Sequence, residues 1–179
     1  MNTHTSQTSN TSESVSSDLR PIPWLDPTTS AAIHGIIRAL AQDHPEAQAV
    51  ILFGSVARRE ERSLDDPEPS DVDLLLLLDA HAVDPTVERL SYQQELALRA
   101  TVGEADYRLS APRVIQVLFV YRMLAGWDPL FIENVARDGI LLWSRGPLPD
   151  PLAAVTERTL PSKESLVPEA ALGGERVES

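Results

Sequence analysis

Five consecutive leucines, Leu74 to Leu78, lie between Asp73 and Asp79. A strand with one face in water alternates apolar and polar residues, and this run does not alternate. It is also too short to read as a helix of ordinary length. The remaining reading is a strand, Asp71 to Asp79, covered on both faces. Such a strand needs neighbours beside it and a layer of apolar helix surface above and below.

The rest of the chain can supply those layers. Ile33, Ile36, Ile37, Leu40 and Ala41 fall at helical spacing between Ala31 and Asp43, with Thr28, Thr29 or Ser30 as the expected cap. Ala47 to Phe53 reads as a strand ending at Gly54-Ser55, and Val56 to Glu61 as one or two helical turns. Ser63 to Ser70 is a proline-broken acidic loop. Pro85 to Val102 reads as a long helix, with Leu96 and Leu98 inward and Gly103 as its stop. Val114 to Val120 is a third strand, Pro129 to Asp138 a helix capped by Asp128 and ended by Gly139, and Ile140 to Trp143 a last strand. The order α-β-(short α)-β-α-β-α-β predicts an α/β (α+β) domain, a small mixed sheet flanked by helices. Residues 1–19, rich in Ser, Thr and Asn, are expected to be a disordered arm. The domain is expected over 20–146, with a Pro- and Glu-rich, largely disordered tail over 147–179. Trp24 is placed to pin the arm to the core.

Composition narrows the chemistry. The net charge of −12 argues against a broad surface for nucleic acid, whose affinity comes from neutralised phosphates. It leaves room for a small phosphorylated ligand held by a few local groups. Fourteen of the fifteen basic residues are Arg and the one Lys is Lys163, near the C-terminal end. A lysine nucleophile in the core is therefore excluded, and with no Cys so are thiolate chemistry and disulfides. No apolar run approaches the roughly 18–20 residues of a membrane span, and the N-terminus lacks a basic segment followed by an apolar one. A cytoplasmic location is the expectation.

Asp71 and Asp73 are two apart, so on a strand they face the same way, about 6.5–7 Å from one another. Two carboxylates so placed suit Mg²⁺, which takes oxygen ligands and commonly bridges carboxylates to phosphates. Gly54 at the end of a buried strand lets backbone approach a ligand closely. The N–H groups that open the following turn, with the Ser55 hydroxyl, can hold an anion. Arg58, one turn on, could reach the same phosphates or a nearby carboxylate.

Gly54-Ser55-Val56-Ala57-Arg58 followed by Ser70-Asp71-Val72-Asp73-Leu74 resembles the two-part motif of the DNA polymerase β-like nucleotidyltransferases. Within that superfamily the chain looks most similar to the small minimal nucleotidyltransferases, the MNT type. The likeness runs from about Ala31 to Trp143, and includes the helix–Gly–strand ending Asn134 to Trp143. It implies that Gly54 and Ser55 hold the triphosphate of ATP, that Asp71 and Asp73 bind Mg²⁺, and that AMP passes to an acceptor hydroxyl as pyrophosphate leaves. It further implies a protein partner, the HEPN-type toxin of a toxin–antitoxin pair.

Two departures from the family pattern stand out. Asp65 to Pro69 lengthen the segment between Ser55 and Asp71, which a loop tolerates. Active members also carry a third carboxylate on the next central strand, where this chain has Gln116. Gln is neutral and is no base at neutral pH. Asp106, expected in a loop before that strand, is an alternative third acid. Three readings follow: an Mg²⁺-dependent transferase acting on a partner protein, a weakened nucleotide-binding antitoxin that acts by binding, or a transferase for a small molecule such as an aminoglycoside. The last usually needs an additional helical domain, for which little chain is expected beyond Trp143.

Overall fold

The computed structural model describes residues 19, 22–109, 111–124 and 126–155, with 104–109 described in backbone only. The expected arm over 1–18 and most of the expected tail, from 156 onward, lie outside them. The elements run α1 (Pro27–Asp43), β1 (Ala47–Phe53), α2 (Gly54–Arg58), β2 (Val72–Leu78), α3 (Tyr92–Leu109), β3 (Ile115–Tyr121), α4 (Pro129–Asp138) and β4 (Ile140–Ser144). Single 3₁₀ turns lie at Ala80–Ala82 and Leu152–Val155.

The four strands form one sheet in the order β3-β2-β1-β4. β1 is antiparallel to both β2 and β4, whereas β2 and β3 are parallel, so the sheet is mixed. All five leucines of β2 are fully buried. They divide by parity, as strand geometry requires. Leu74, Leu76 and Leu78 join Ile33, Ile36, Ile37 and Leu40 of α1 and Leu98 of α3 on one face. Leu75 and Leu77 join Ile132, Val135 and Ala136 of α4 on the other. Burying a side chain of this size is worth about 1.5–3 kcal/mol, so this strand anchors both layers.

Several boundaries differ from the sequence reading, each for a local reason. α1 is capped by Asp26 and not by Thr28, Thr29 or Ser30. The Thr29 N–H donates to Asp26 Oδ1 at 2.8 Å, and Pro27 fills the first helical position, where no N–H is needed. α3 begins at Tyr92 and not at Pro85. Asp84 takes the Thr86 N–H into a turn, while Ser91 and Gln94 form a reciprocal capping box. The helix then continues through Gly103, expected to stop it, because nothing crowds that position and an interior glycine costs a helix only about 1 kcal/mol. Leu96, expected inward, is exposed.

Trp24 does tie the segment before α1 to the core: its indole N–H donates to Val56 O at 3.0 Å, and Arg59 stacks on its ring. The packed core also continues past residue 146, since Leu148, Leu152 and Val155 are buried against α4. Their apolar side chains fill the second face beside the sheet.

Candidate active site

The chemistry-bearing residues gather at one end of the sheet, where β1 finishes and β2 and β3 begin. Asp73 faces Phe53 across β1 and Gln116 across β3. It shares the parity of Leu75 and Leu77, so it belongs to the α4 side of the sheet. Phe53 continues that surface, its ring edge-on to Phe131 of α4 at 5.6 Å. Asp71 lies one residue ahead of the strand.

Gly54 turns the chain from β1 into α2 with φ of +75°, in the left-handed region that favours glycine. A β-carbon at that position would collide with Asp73 Oδ2. The glycine is therefore fixed twice over, by its backbone angle and by the carboxylate packed on it. Ser55 follows, half-buried, with its hydroxyl and backbone N–H at the start of α2. α2 has only five residues, so its dipole is small and any anion there relies on individual N–H groups.

The Asp73 carboxyl is pushed above the ordinary carboxylate range, first by burial and then by the charge of Asp71. Two acids that raise one another's proton affinity are a site short of positive charge. With hard oxygen donors and a glycine cradle against one of them, the residues suit Mg²⁺. Among the described residues no group of three His, Cys, Asp or Glu converges as a metal site. The place of a third acid is held by Gln116, whose Nε2 donates to Asp71 Oδ2 at 2.5 Å. Asp106 lies on α3, not in a loop, and its side chain is outside the described residues.

Arg58 closes α2 with an exposed side chain, its Nε 2.8 Å from Glu60 Oε2. The structure thus gives it a carboxylate partner of its own next to the site.

One residue of this region escaped the sequence reading. Arg113, just ahead of β3, is 7% exposed and donates to Ser70 O at 2.8 Å and to Arg62 O at 2.9 Å. Those carbonyls sit at the two ends of the acidic loop that leads into Asp71. An Arg beside a proline before an apolar strand is a faint signal, because both acceptors are distant in sequence.

A mixed sheet with Gly54 and the Asp71–Asp73 pair at one end is the framework of a nucleotidyltransferase domain. The chain matches the family described as Polymerase beta, Nucleotidyltransferase over residues 36–147, and it belongs to that family. No curated relative matches it. Among solved structures, a toxin–antitoxin crystallised with AMP-PNP is similar at 19% identity and a TM-score of 0.40, over 62% of this chain and 72% of that one. A mutant MntA–HpeT toxin–antitoxin is similar at 19% identity and a TM-score of 0.43, over 69% of this chain and 81% of that one. No helix among the described residues is long and apolar enough to cross a membrane.

Proposed function

We propose that this chain binds ATP with Mg²⁺ and transfers AMP to a hydroxyl of a partner protein, such as a HEPN-type toxin. The observation that carries the nucleotide half is the contact between Gly54 and Asp73, which joins the phosphate turn to the acidic pair in a single cradle. The partner half rests on the likeness of the two-part motif to the MNT type. Bound Mg²⁺ would neutralise charge on the transferring phosphoryl group.

The chain's own residues have separate tasks. Gly54 and Ser55 offer backbone N–H groups and a hydroxyl to the outer phosphates. Asp71 and Asp73 hold the cation. The acceptor oxygen forms its bond to the α-phosphorus as the bond to the bridging oxygen breaks, and pyrophosphate leaves with that electron pair. No residue placed at the site is an evident base for the hydroxyl proton, which passes to solvent or to a phosphate oxygen. Phosphoryl-type transfer tolerates this, because positioning and electrostatics supply most of its catalysis.

A second reading, a nucleotide-binding antitoxin with little turnover, is favoured by the Gln116 amide. It presents a donor to Asp71 where an active site would place another acid. Incubation with α-labelled ATP, Mg²⁺ and the product of the neighbouring gene separates the two. Label on the partner that disappears in Asp71→Asn and Asp73→Asn supports transfer. Nucleotide binding without transfer supports the second reading, and absence of nucleotide binding refutes both.

A further inference from the structure

Arg113 is a buried cation to which no described carboxylate is paired. Its two Nη atoms donate to backbone carbonyls, and its Nε is buried without an acceptor. Burying a guanidinium against neutral partners is costly, and an apolar side chain would fill the same volume more cheaply. What an apolar side chain cannot do is hold two carbonyls at once. The planar fork can, with a fixed spacing between its donors.

The two carbonyls are those of Arg62 and Ser70. The same two residues are tied directly, the Arg62 N–H donating to Ser70 Oγ at 2.8 Å. The loop between them is thus closed at its neck and fastened to the start of β3. The Ser70 carbonyl belongs to the peptide that joins Ser70 to Asp71. One residue later the Val72 N–H donates to Val114 O at 2.8 Å, next to Arg113 in the chain. Asp71 therefore sits between two fastenings to the same short segment.

We infer that Arg113 is the positioning residue for Asp71. By holding the Ser70–Asp71 peptide and the neck of the acidic loop, it sets the direction in which the Asp71 carboxylate enters the site. It also keeps a positive charge close to that carboxylate. The consequence for metal binding rests on the function proposed above, whereas the placement of Asp71 does not.

The test uses the full chain, ¹⁵N-labelled, with the Gln116 side-chain amide as reporter of where Asp71 lies. That resonance is assigned with Gln116→Ala, and Asp71→Asn gives its position once the bond to a carboxylate is lost. Arg113→Met is expected to move the resonance toward the Asp71→Asn position. It is also expected to weaken Mn²⁺ binding about tenfold, the scale of a lost outer-shell partner. Arg113→Lys, which reaches one carbonyl, falls between. If Arg113→Met does not fold, Arg113→Lys carries the test with the same readouts. A lowered melting temperature with the Gln116 resonance unmoved would mean a packing role only and overturns the inference. Wild-type protein that binds no Mn²⁺, but whose Gln116 resonance moves in Arg113→Met, refutes the proposed function and upholds the positioning role.

Discussion

Gln116 and Asp71 lie 45 residues apart and meet at 2.5 Å, amide to carboxylate, where β3 runs parallel to β2. The contact occupies one carboxylate oxygen of the acidic pair and puts a neutral donor in the place of an acid. Gln116→Asp exchanges that donor for a third charge. In metal-free protein the change is expected to lower the melting temperature, because three carboxylates then repel, and Mg²⁺ should restore it. If the missing acid limits turnover, transfer of label from ATP rises about a hundredfold, the usual scale of general-base help. A fall in transfer would show that the amide holds Asp71 in a productive direction.

Gly54→Ala meets two obstacles at once, the positive φ and Asp73 Oδ2. The expected loss of stability is about 1–3 kcal/mol, the cost of a strained backbone residue. For a chain of this size that lowers the melting temperature by a few degrees, roughly 2–4 °C per kcal/mol. Because Asp73 must shift to make room, nucleotide binding followed by calorimetry should weaken far more than the stability loss accounts for. Unchanged affinity would separate the glycine turn from the acidic pair.

Asp73 gives the stability a pH dependence with a definite sign. Its carboxyl holds a proton more tightly in the folded chain than the model value of 3.8, through burial and then Asp71. A group raised in this way favours folding below its unfolded pKa, and that contribution is lost as pH rises through the folded pKa. At neutral pH the ionised carboxylate is therefore a net penalty. Asp73→Asn, melted with a chelator present, should be more stable than wild type at pH 7, and the advantage should vanish below about pH 3.8. A variant less stable than wild type at neutral pH would contradict this.

Leu152 is fully buried in the layer formed with α4, beyond the point where the sequence suggests that packing ends. Leu152→Ala should cost about 2–5 kcal/mol, as for other buried leucines. Chemical denaturation would show this as a lower midpoint with an unchanged slope. A cost under about 0.5 kcal/mol, the scale of surface substitutions, would place the residue outside the cooperative core.

The strands were legible because their apolar runs are bounded by turn residues or charges, and Leu74 to Leu78 could hardly be anything else. Gly54, Asp71 and Asp73 were legible because two local patterns happened to meet in space. α3 was misplaced because its start depends on one side-chain exchange between Ser91 and Gln94, while Asp84-Pro85 offers an equally plausible cap seven residues earlier. Leu148, Leu152 and Val155 were hidden by the prolines among them, which read as an ending although their apolar neighbours pack. Arg113 could not be read at all. Its role is defined by carbonyls 43 and 51 residues away, and a backbone carbonyl leaves no mark in a sequence.

β2 holds its two carboxylates unequally. Asp73 is inside the strand, paired with neighbours on both sides and followed by leucines that fill two layers, so its position follows from the core of the domain. Asp71 is one residue outside and depends on contacts made by a surface loop. The pair works as a vice with one fixed jaw and one adjustable jaw. Loop length can change on the adjustable side without disturbing the fixed one, which makes this flank of the site the one free to diversify.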